Sequence, residues 1–198
     1  MSASSNRFTW RVVDIVVASA IGVAAGLVFW VWNQFYQPAT APLEAALPGM
    51  QALLYGVWLF AGVLGGLIIR KPGAAIYVEI IAATVSALLG AQWAFLTLEA
   101  GLVQGLGAEL VFLAFRYVNW SWFVALLAGA LSGLAMALND LVLWYPGADT
   151  AFGVTYAISA VLSGAVIAGL GSWLLARGLA RTGALDRFAS GRENTVRV

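Results

Sequence analysis

The sequence predicts an all-α integral membrane protein with six transmembrane helices. Hydrophobic residues make up 62% of its 198 residues, charged residues make up 10%, and the mean hydropathy is +0.91. Soluble globular domains are about half apolar and about a quarter charged, so a water-soluble domain is excluded. A membrane-spanning helix needs about 20 residues. The chain therefore has room for about six spans with short connections, and no room for a separate soluble domain.

Apolar stretches bounded by polar or turn-forming residues define the six predicted spans. They cover residues 12–32, 51–69, 74–91, 101–115, 120–144 and 152–176 of a single membrane domain, 1–198. The segment 33–50 holds three of the five prolines and is predicted to be a loop with a short amphipathic piece. Residues 177–198 are predicted to form a soluble, basic tail.

The positive charges support this arrangement independently of hydropathy. With six spans, all ten Lys and Arg residues fall on one side of the membrane: Arg7, Arg11, Arg70, Lys71, Arg116, Arg177, Arg181, Arg187, Arg192 and Arg197. The opposite loops carry only acidic residues, Glu44, Glu99 and Asp149. Because cytoplasmic loops are enriched in Lys and Arg, the pattern predicts that both termini are cytoplasmic.

Glu79 and Glu109 fall in the interiors of predicted spans, and Asp140 falls near a span end. An ionisable side chain inside a membrane costs roughly 2.5–3.5 kcal/mol and is by default a candidate functional residue. The spans contain no Lys or Arg that could neutralise these acids. Three interpretations stay open: contact with a cationic or N–H-rich ligand, hydrogen bonds between helices with partners such as Gln104 or Asn139, and a proton relay.

Aromatic residues add a second signal. Tyr55, Trp58, Trp93 and Tyr145 lie toward the half of the predicted bundle that also holds Asp140. Aromatic faces around a carboxylate suit a flat, cationic or amine-bearing heteroaromatic ligand, through stacking, cation–π attraction and charge-assisted hydrogen bonds. The sequence therefore predicts a binding site for such a compound.

Small residues recur at every fourth position of span one. Ala18, Gly22 and Gly26 form one series, and Ala20 and Ala24 form another. This spacing lets a second helix approach closely. The residues alone leave open whether that helix belongs to the same chain or to a separate subunit.

Several chemistries are excluded. The chain has no His and no Cys, so the usual zinc, haem and thiol sites are not predicted, and neither a metal nor a cofactor is expected. The sequence contains no GxxxxGK[ST], HExxH or GxSxG motif. We therefore expect a non-enzymatic membrane protein whose energy source, if it needs one, lies on another chain. Nothing in the sequence indicates binding to nucleic acid.

Three stretches of the chain carry a resemblance to a known family. They are RKPGAAIYVEIIAA at 70–83, QGLGAELVFLAFR at 104–116 and TGALDRFASGRE at 182–193. Together they resemble the YkoE family, the substrate-binding S components of energy-coupling factor (ECF) transporters for thiamin or its hydroxymethylpyrimidine precursor. The resemblance covers nearly the whole chain.

The resemblance implies a six-helix S-component bundle in the cell membrane, with a vitamin-binding pocket open to the outside. It implies a coupling transmembrane subunit and two ABC ATPases as partners, which would hydrolyse the ATP. It also implies that the coupling subunit docks on the small-residue faces of span one, Ala18 with Gly22 or Ala20 with Ala24.

The implied substrate fits the residues, because an aminopyrimidine can pair with a carboxyl group while Trp or Tyr rings stack on it. Glu109 is the first choice for that carboxyl group, since it lies in midspan and within a family motif; Glu79 and Asp140 follow. Two other functions stay open: a solitary secondary transporter of a small cationic or heteroaromatic solute, and a membrane assembly subunit that binds no ligand.

Overall fold

The computed structural model describes residues 8–191, and within that range the chain is helical with no strand. The seven α-helices are α1 (Val12–Ala46), α2 (Phe60–Ile69), α3 (Ala74–Leu88), α4 (Leu96–Ala114), α5 (Trp122–Leu143), α6 (Thr150–Ser163) and α7 (Gly171–Arg181). A 3₁₀-helix, Met50–Trp58, leads into α2, and a π-helix, Gly164–Leu170, joins α6 to α7. The all-helical class is confirmed. Arg7, Arg192 and Arg197, which entered the topology argument, lie outside the described residues.

Five segments in the described part of the chain are long and apolar enough to cross a membrane: Val12–Ala46, Met50–Ile69, Leu96–Ala114, Trp122–Leu143 and Thr150–Arg181. The chain is therefore a multi-pass membrane protein. Helix α3 is apolar but has only 15 residues. At 1.5 Å per residue it extends about 22 Å, less than the roughly 30 Å of hydrocarbon in a bilayer. The sixth span stays a prediction.

The predicted loop at 33–50 is wrong for most of its length, because α1 continues to Ala46 with Pro38 and Pro42 inside it. Proline was expected to end the helix, since it lacks an N–H and crowds the preceding turn. Here the Thr40 hydroxyl donates hydrogen bonds to the main-chain oxygens of Tyr36 (2.8 Å) and Gln37 (3.3 Å). Tyr36 in turn packs on Trp58, with ring centroids 5.0 Å apart. These contacts hold the proline-containing part of α1 in place.

The other boundaries differ by a few residues, and two predicted spans are irregular. The span predicted at 51–69 begins as a 3₁₀-helix, and the span predicted at 152–176 contains the π-helix and runs on to Arg181. The predicted soluble tail packs on the bundle as far as residue 191, where the described part of the chain ends. Leu185 and Phe188 are buried, and the Ser190 hydroxyl donates a hydrogen bond to the main-chain oxygen of Ile68 at 3.1 Å. Two apolar side chains and this hydrogen bond attach the segment to the end of α2.

Close packing between α1 and α3 separates the two small-residue series of α1. Ala18, Gly22 and Gly26 are buried, whereas Ala20 and Ala24 are exposed. A Cβ atom placed on Gly26 would lie 2.6 Å from Cβ of Val85 in α3. The first series therefore serves packing within the chain, and the second faces outward.

This packing predicts opposite outcomes for two substitutions on α1. Gly26→Leu forces a side chain into the α1–α3 contact, and overpacking of this kind typically costs about 1–3 kcal/mol. We expect its Tm in detergent to fall by several degrees. The matched control is Ala24→Leu, which adds the larger side chain to an exposed position and should leave Tm within about one degree of wild type. Equal losses in the two variants would contradict the assigned α1–α3 packing.

Candidate functional site

A cavity of about 280 Å³ lies between α1, the 3₁₀-helix, α3, α4, α5 and α6. It lies toward the connections 89–95 and 144–149, at the end of the bundle opposite the turns that carry Arg70, Lys71 and Arg116. Six of the nine predicted substrate-binding residues line it: Tyr55, Trp58, Trp93, Gln104, Asp140 and Tyr145. Glu79, Glu109 and Asn139 do not line it.

Asp140 is the carboxylate of this cavity. The Tyr156 hydroxyl donates a hydrogen bond to Oδ2 of Asp140 at 2.6 Å. The other oxygen, Oδ1, accepts no side-chain hydrogen bond from the residues that the structure describes. Tyr156 is itself only 1% exposed, and its ring packs on Tyr145 with centroids 5.3 Å apart. The buried Tyr156 therefore occupies one oxygen of Asp140, and the second oxygen can accept further hydrogen bonds.

Aromatic rings form another part of the cavity wall. Trp58 stands at the centre, with ring centroids 5.0 Å from Tyr36, 5.0 Å from Tyr55 and 5.5 Å from Trp93. These contacts are edge-to-face, the arrangement that the ring quadrupoles favour. The wall combines apolar area with negative ring faces, so it suits a planar or cationic ligand.

Three polar side chains that line the cavity, which the sequence did not predict as site residues in this combination, form a hydrogen-bonded chain. The Trp58 indole N–H donates to Oδ1 of Asn33 at 2.8 Å, and Nδ2 of Asn33 donates to Oγ of Ser86 at 3.0 Å. Asn33 and Tyr36 were missed because they fell in the predicted loop. Helical spacing continued from Gly22 through 26, 29, 33 and 36 would have placed both on the buried face of α1.

Gln104 brings an amide group to the cavity from α4. It is 8% exposed, and its main-chain oxygen accepts a hydrogen bond from the Ser132 hydroxyl of α5 at 2.8 Å. No hydrogen bond links its side-chain amide to another described residue. The cavity thus offers both an amide donor and an amide acceptor in addition to the Asp140 carboxylate.

Glu109 has a different environment, near the turn that carries Arg70 and Lys71. Its Oε1 accepts hydrogen bonds from the Gly73 N–H (2.7 Å) and the Tyr117 hydroxyl (2.7 Å), and its Oε2 accepts one from the Ala75 N–H (2.9 Å). Burial and the bond to Glu109 raise the pKa of Tyr117 above its ordinary value, so the phenol stays a donor. Both Glu109 oxygens therefore cap the N-terminus of α3.

Glu79 and Asn139 also pair within the protein. Glu79 is fully buried, and its Oε2 accepts a hydrogen bond from the Gly62 N–H of α2 at 2.5 Å. The Asn139 amide donates to Oε2 of Glu99 at 3.2 Å, which ties α5 to α4. The structure thus brings Asp140 and Gln104 together at the cavity and places the other polar candidates in contacts between helices.

Comparison with known proteins identifies the family to which the chain belongs. The family model described as "ABC-type cobalt transport system, permease component" matches residues 13–135. A relative from Bacillus subtilis (strain 168), named as the HMP/thiamine permease protein YkoE, is 37% identical over 188 residues, which cover 93% of this chain and 92% of the relative. The chain belongs to the YkoE family of membrane permease proteins. Its fold is also that of an ECF-transporter S component, because a crystal structure of one superposes with a TM-score of 0.86 at 35% identity over 94% of both chains.

Two of the stretches that resemble the YkoE family contact each other in the structure. The Glu109 side chain of 104–116 binds the main chain of Gly73 and Ala75 in 70–83. This contact joins α3 to α4 at the end of the bundle away from the cavity. The two stretches therefore share one structural contact.

This contact predicts that Glu109 stabilises the S-component fold. Glu109→Ala leaves the N–H groups of Gly73 and Ala75 without their acceptor, and we expect a stability loss of about 2 kcal/mol, read as a lower Tm in detergent. The matched control is Glu44→Ala, at an exposed glutamate on α1, which should leave Tm near the wild-type value. An unchanged Tm for the Glu109 variant would contradict the capping role.

Proposed function

We propose that this S component is the substrate-binding subunit of an ATP-driven vitamin uptake transporter, and that it captures thiamin or hydroxymethylpyrimidine in the cavity beside Asp140. The observation that carries the proposal is the half-paired Asp140 carboxylate in a cavity lined by aromatic rings. The name of the Bacillus relative, an HMP/thiamine permease protein, supports the same substrates.

The chemistry of the cavity matches an aminopyrimidine. Its exocyclic amine donates to Oδ1 of Asp140, and its ring nitrogens accept from donors such as the Gln104 amide. The pyrimidine stacks against the rings around Trp58, and the thiazolium of thiamin gains cation–π attraction there. A cavity of about 280 Å³ is near the lower end of the range for small-molecule sites, which suits a ligand of one or two rings.

The description of the matching family model names cobalt, but the residues favour an organic ligand. Imidazole and thiolate groups are common protein ligands of transition metals, and the chain has neither His nor Cys. Within residues 8–191, no three His, Cys, Asp or Glu side chains lie close enough to hold a metal ion. The polar groups of the cavity are one carboxylate, amides and hydroxyls, which recognise N–H donors and acceptors.

The positive residues orient the proposed subunit in the cell membrane. Arg70, Lys71 and Arg116 lie at the end opposite the cavity, so the positive-inside rule places the cavity toward the outside and both termini in the cytoplasm. The proposed partners are a coupling transmembrane subunit and two ABC ATPases, which hydrolyse the ATP. The lipid bilayer covers the exposed apolar side chains of the helices.

Exposed small residues on α1 provide the proposed docking face for the coupling subunit. Ala20 and Ala24 lie one turn apart on the outer face of α1, where a partner helix can approach closely. Ala18 and Gly22, the other candidate pair, are already covered by α3. A Cβ atom on Gly22 would lie 2.6 Å from Ile81.

Calorimetry of the purified chain tests the site. Wild type should bind thiamin or hydroxymethylpyrimidine, and Asp140→Asn should weaken binding about 10- to 100-fold, because a hydrogen bond to a charged group is worth about 1.5–3 kcal/mol. The matched control is Asp186→Asn, at an exposed aspartate far from the cavity, which should bind like wild type. Unchanged binding by the Asp140 variant would place the site elsewhere, and absence of binding by wild type would refute the proposed substrates.

Transport with the partner subunits tests the docking face. Ala20→Leu and Ala24→Leu should keep ligand affinity in the isolated chain but reduce ATP-dependent uptake at least fivefold, because larger side chains separate the docked helices. Ala151→Leu, at an exposed alanine of α6, is the control and should transport normally. Normal uptake by both α1 variants would exclude this face as the docking site.

A further inference from the structure

The second membrane segment changes its helix type inside the bundle. A 3₁₀-helix of nine residues, Met50–Trp58, gives way at Leu59 to the α-helix that begins at Phe60. Runs of 3₁₀-helix longer than three or four residues are uncommon. This one carries Tyr55 and Trp58 into the cavity. In a membrane, main-chain groups released at such a break must find partners within the protein.

Glu79 supplies one of those partners from α3. Its Oε2 accepts the hydrogen bond of the Gly62 N–H at 2.5 Å, in the first turn of α2. Leu59, the residue before α2, provides no side-chain cap. A carboxylate at a helix N-terminus satisfies a free N–H and interacts favourably with the helix dipole. Glu79 therefore does for α2 what a capping side chain would do in a regular helix.

Two glycines make room for this carboxyl group. A Cβ atom on Gly62 would lie 2.9 Å from Oε2 of Glu79, and one on Gly105 in α4 would lie 3.1 Å from the Glu79 Cβ. Ala83, one turn further along α3, and Gln104, next to Gly105, both line the cavity. Glu79 thus lies one helical turn beneath the cavity, between α2 and α4.

Two serines pair main-chain groups on either side of the break. The Gly56 N–H donates to Oγ of Ser163 at 2.8 Å, and the Ser172 hydroxyl donates to the main-chain oxygen of Phe60 at 3.0 Å. These contacts hold one side of the second segment against the helix Thr150–Arg181. Glu79 binds the second segment from α3 instead, through the Gly62 N–H in the first turn of α2.

From these contacts we infer that Glu79 is a positioning residue for the proposed binding site. By fixing the junction between the 3₁₀-helix and α2, it sets the position of Trp58, which in turn holds Asn33 and the aromatic wall. The expected effect of Glu79 on ligand affinity rests on the proposed function. The expected effect of Glu79 on the position of Trp58 does not, because it is measured in the ligand-free protein.

The test compares Glu79→Leu with Glu79→Gln. Leucine removes the acceptor of the Gly62 N–H, whereas glutamine keeps an acceptor oxygen. The glutamine amide nitrogen takes the place of Oε1, an atom with no hydrogen-bond partner among the described residues. We expect Kd for thiamin or hydroxymethylpyrimidine, whichever wild type binds, to rise at least tenfold in Glu79→Leu and less than threefold in Glu79→Gln.

A spectroscopic readout separates positioning from general loss of stability. In protein labelled with 5-fluorotryptophan, the ¹⁹F resonance of Trp58 is assigned by Trp58→Phe. The chemical shift of this resonance should differ from wild type in ligand-free Glu79→Leu and match wild type in ligand-free Glu79→Gln. The control is Ser190→Ala, which removes the hydrogen bond to Ile68 at the far end of the same segment. It should lower Tm without moving the Trp58 resonance or changing Kd.

The inference is overturned if the Trp58 resonance of Glu79→Leu stays at the wild-type position, or if Glu79→Gln loses affinity as strongly as Glu79→Leu. Should Glu79→Leu fail to fold, Gly62→Ala tests the same contact, because its Cβ displaces the carboxyl group and should also move the resonance. If wild type binds neither compound, the proposed function fails, and the ligand-free spectra still decide the role of Glu79.

Discussion

The bundle depends on pairing buried carboxylates with main-chain N–H groups at helix N-termini. Asp14 accepts the Arg11 N–H just before α1, Glu79 accepts the Gly62 N–H of α2, and Glu109 accepts two N–H groups at the start of α3. The exposed Asp149 caps α6 in the same way, through the Phe152 N–H. Asp14 is also ion-paired with Arg11 and Lys71, at 2.7 and 2.8 Å. Glu79 and Glu109 lie deeper along the chain's helices and bind N–H groups at helix N-termini. Each acid thereby satisfies donors that lipid could not hydrate and fixes where a helix starts.

Asp140 departs from this arrangement. It lies near the end of α5, caps no helix start, and is held by the hydroxyl of Tyr156. The same cavity gathers aromatic rings, the Gln104 amide and the Asn33 side chain from four other helical segments. A carboxylate left half-paired in such a place has a partner to gain from a ligand. Glu109 has hydrogen-bond donors on both oxygens, and Glu79, whose Oε1 has no partner among the described residues, does not line the cavity.

Composition and charge were sufficient to predict a multi-pass helical membrane protein, and three stretches were sufficient for the family. Hydropathy could not show whether a carboxyl group faces a cavity or a helix N-terminus, so Glu109 ranked above Asp140. Glu109 of α4 meets a helix N-terminus because α3 begins beside it. The relative position of two helices is set by tertiary packing, which hydropathy does not describe. The prolines led to a predicted end of α1 that is too early, so Asn33 was assigned to a loop. In the structure, contacts around Thr40 and Tyr36 stabilise a helix that the prolines alone would interrupt.

The most direct test of this account is an experimental structure of the chain with bound thiamin or hydroxymethylpyrimidine. We expect the aminopyrimidine in the cavity, with its amine within hydrogen-bond distance of Oδ1 of Asp140 and its ring against the wall around Trp58. Glu79 and Glu109 should keep their bonds to Gly62, Gly73 and Ala75. A ligand bound to either glutamate, or bound outside the cavity, would contradict the division between capping and binding carboxylates.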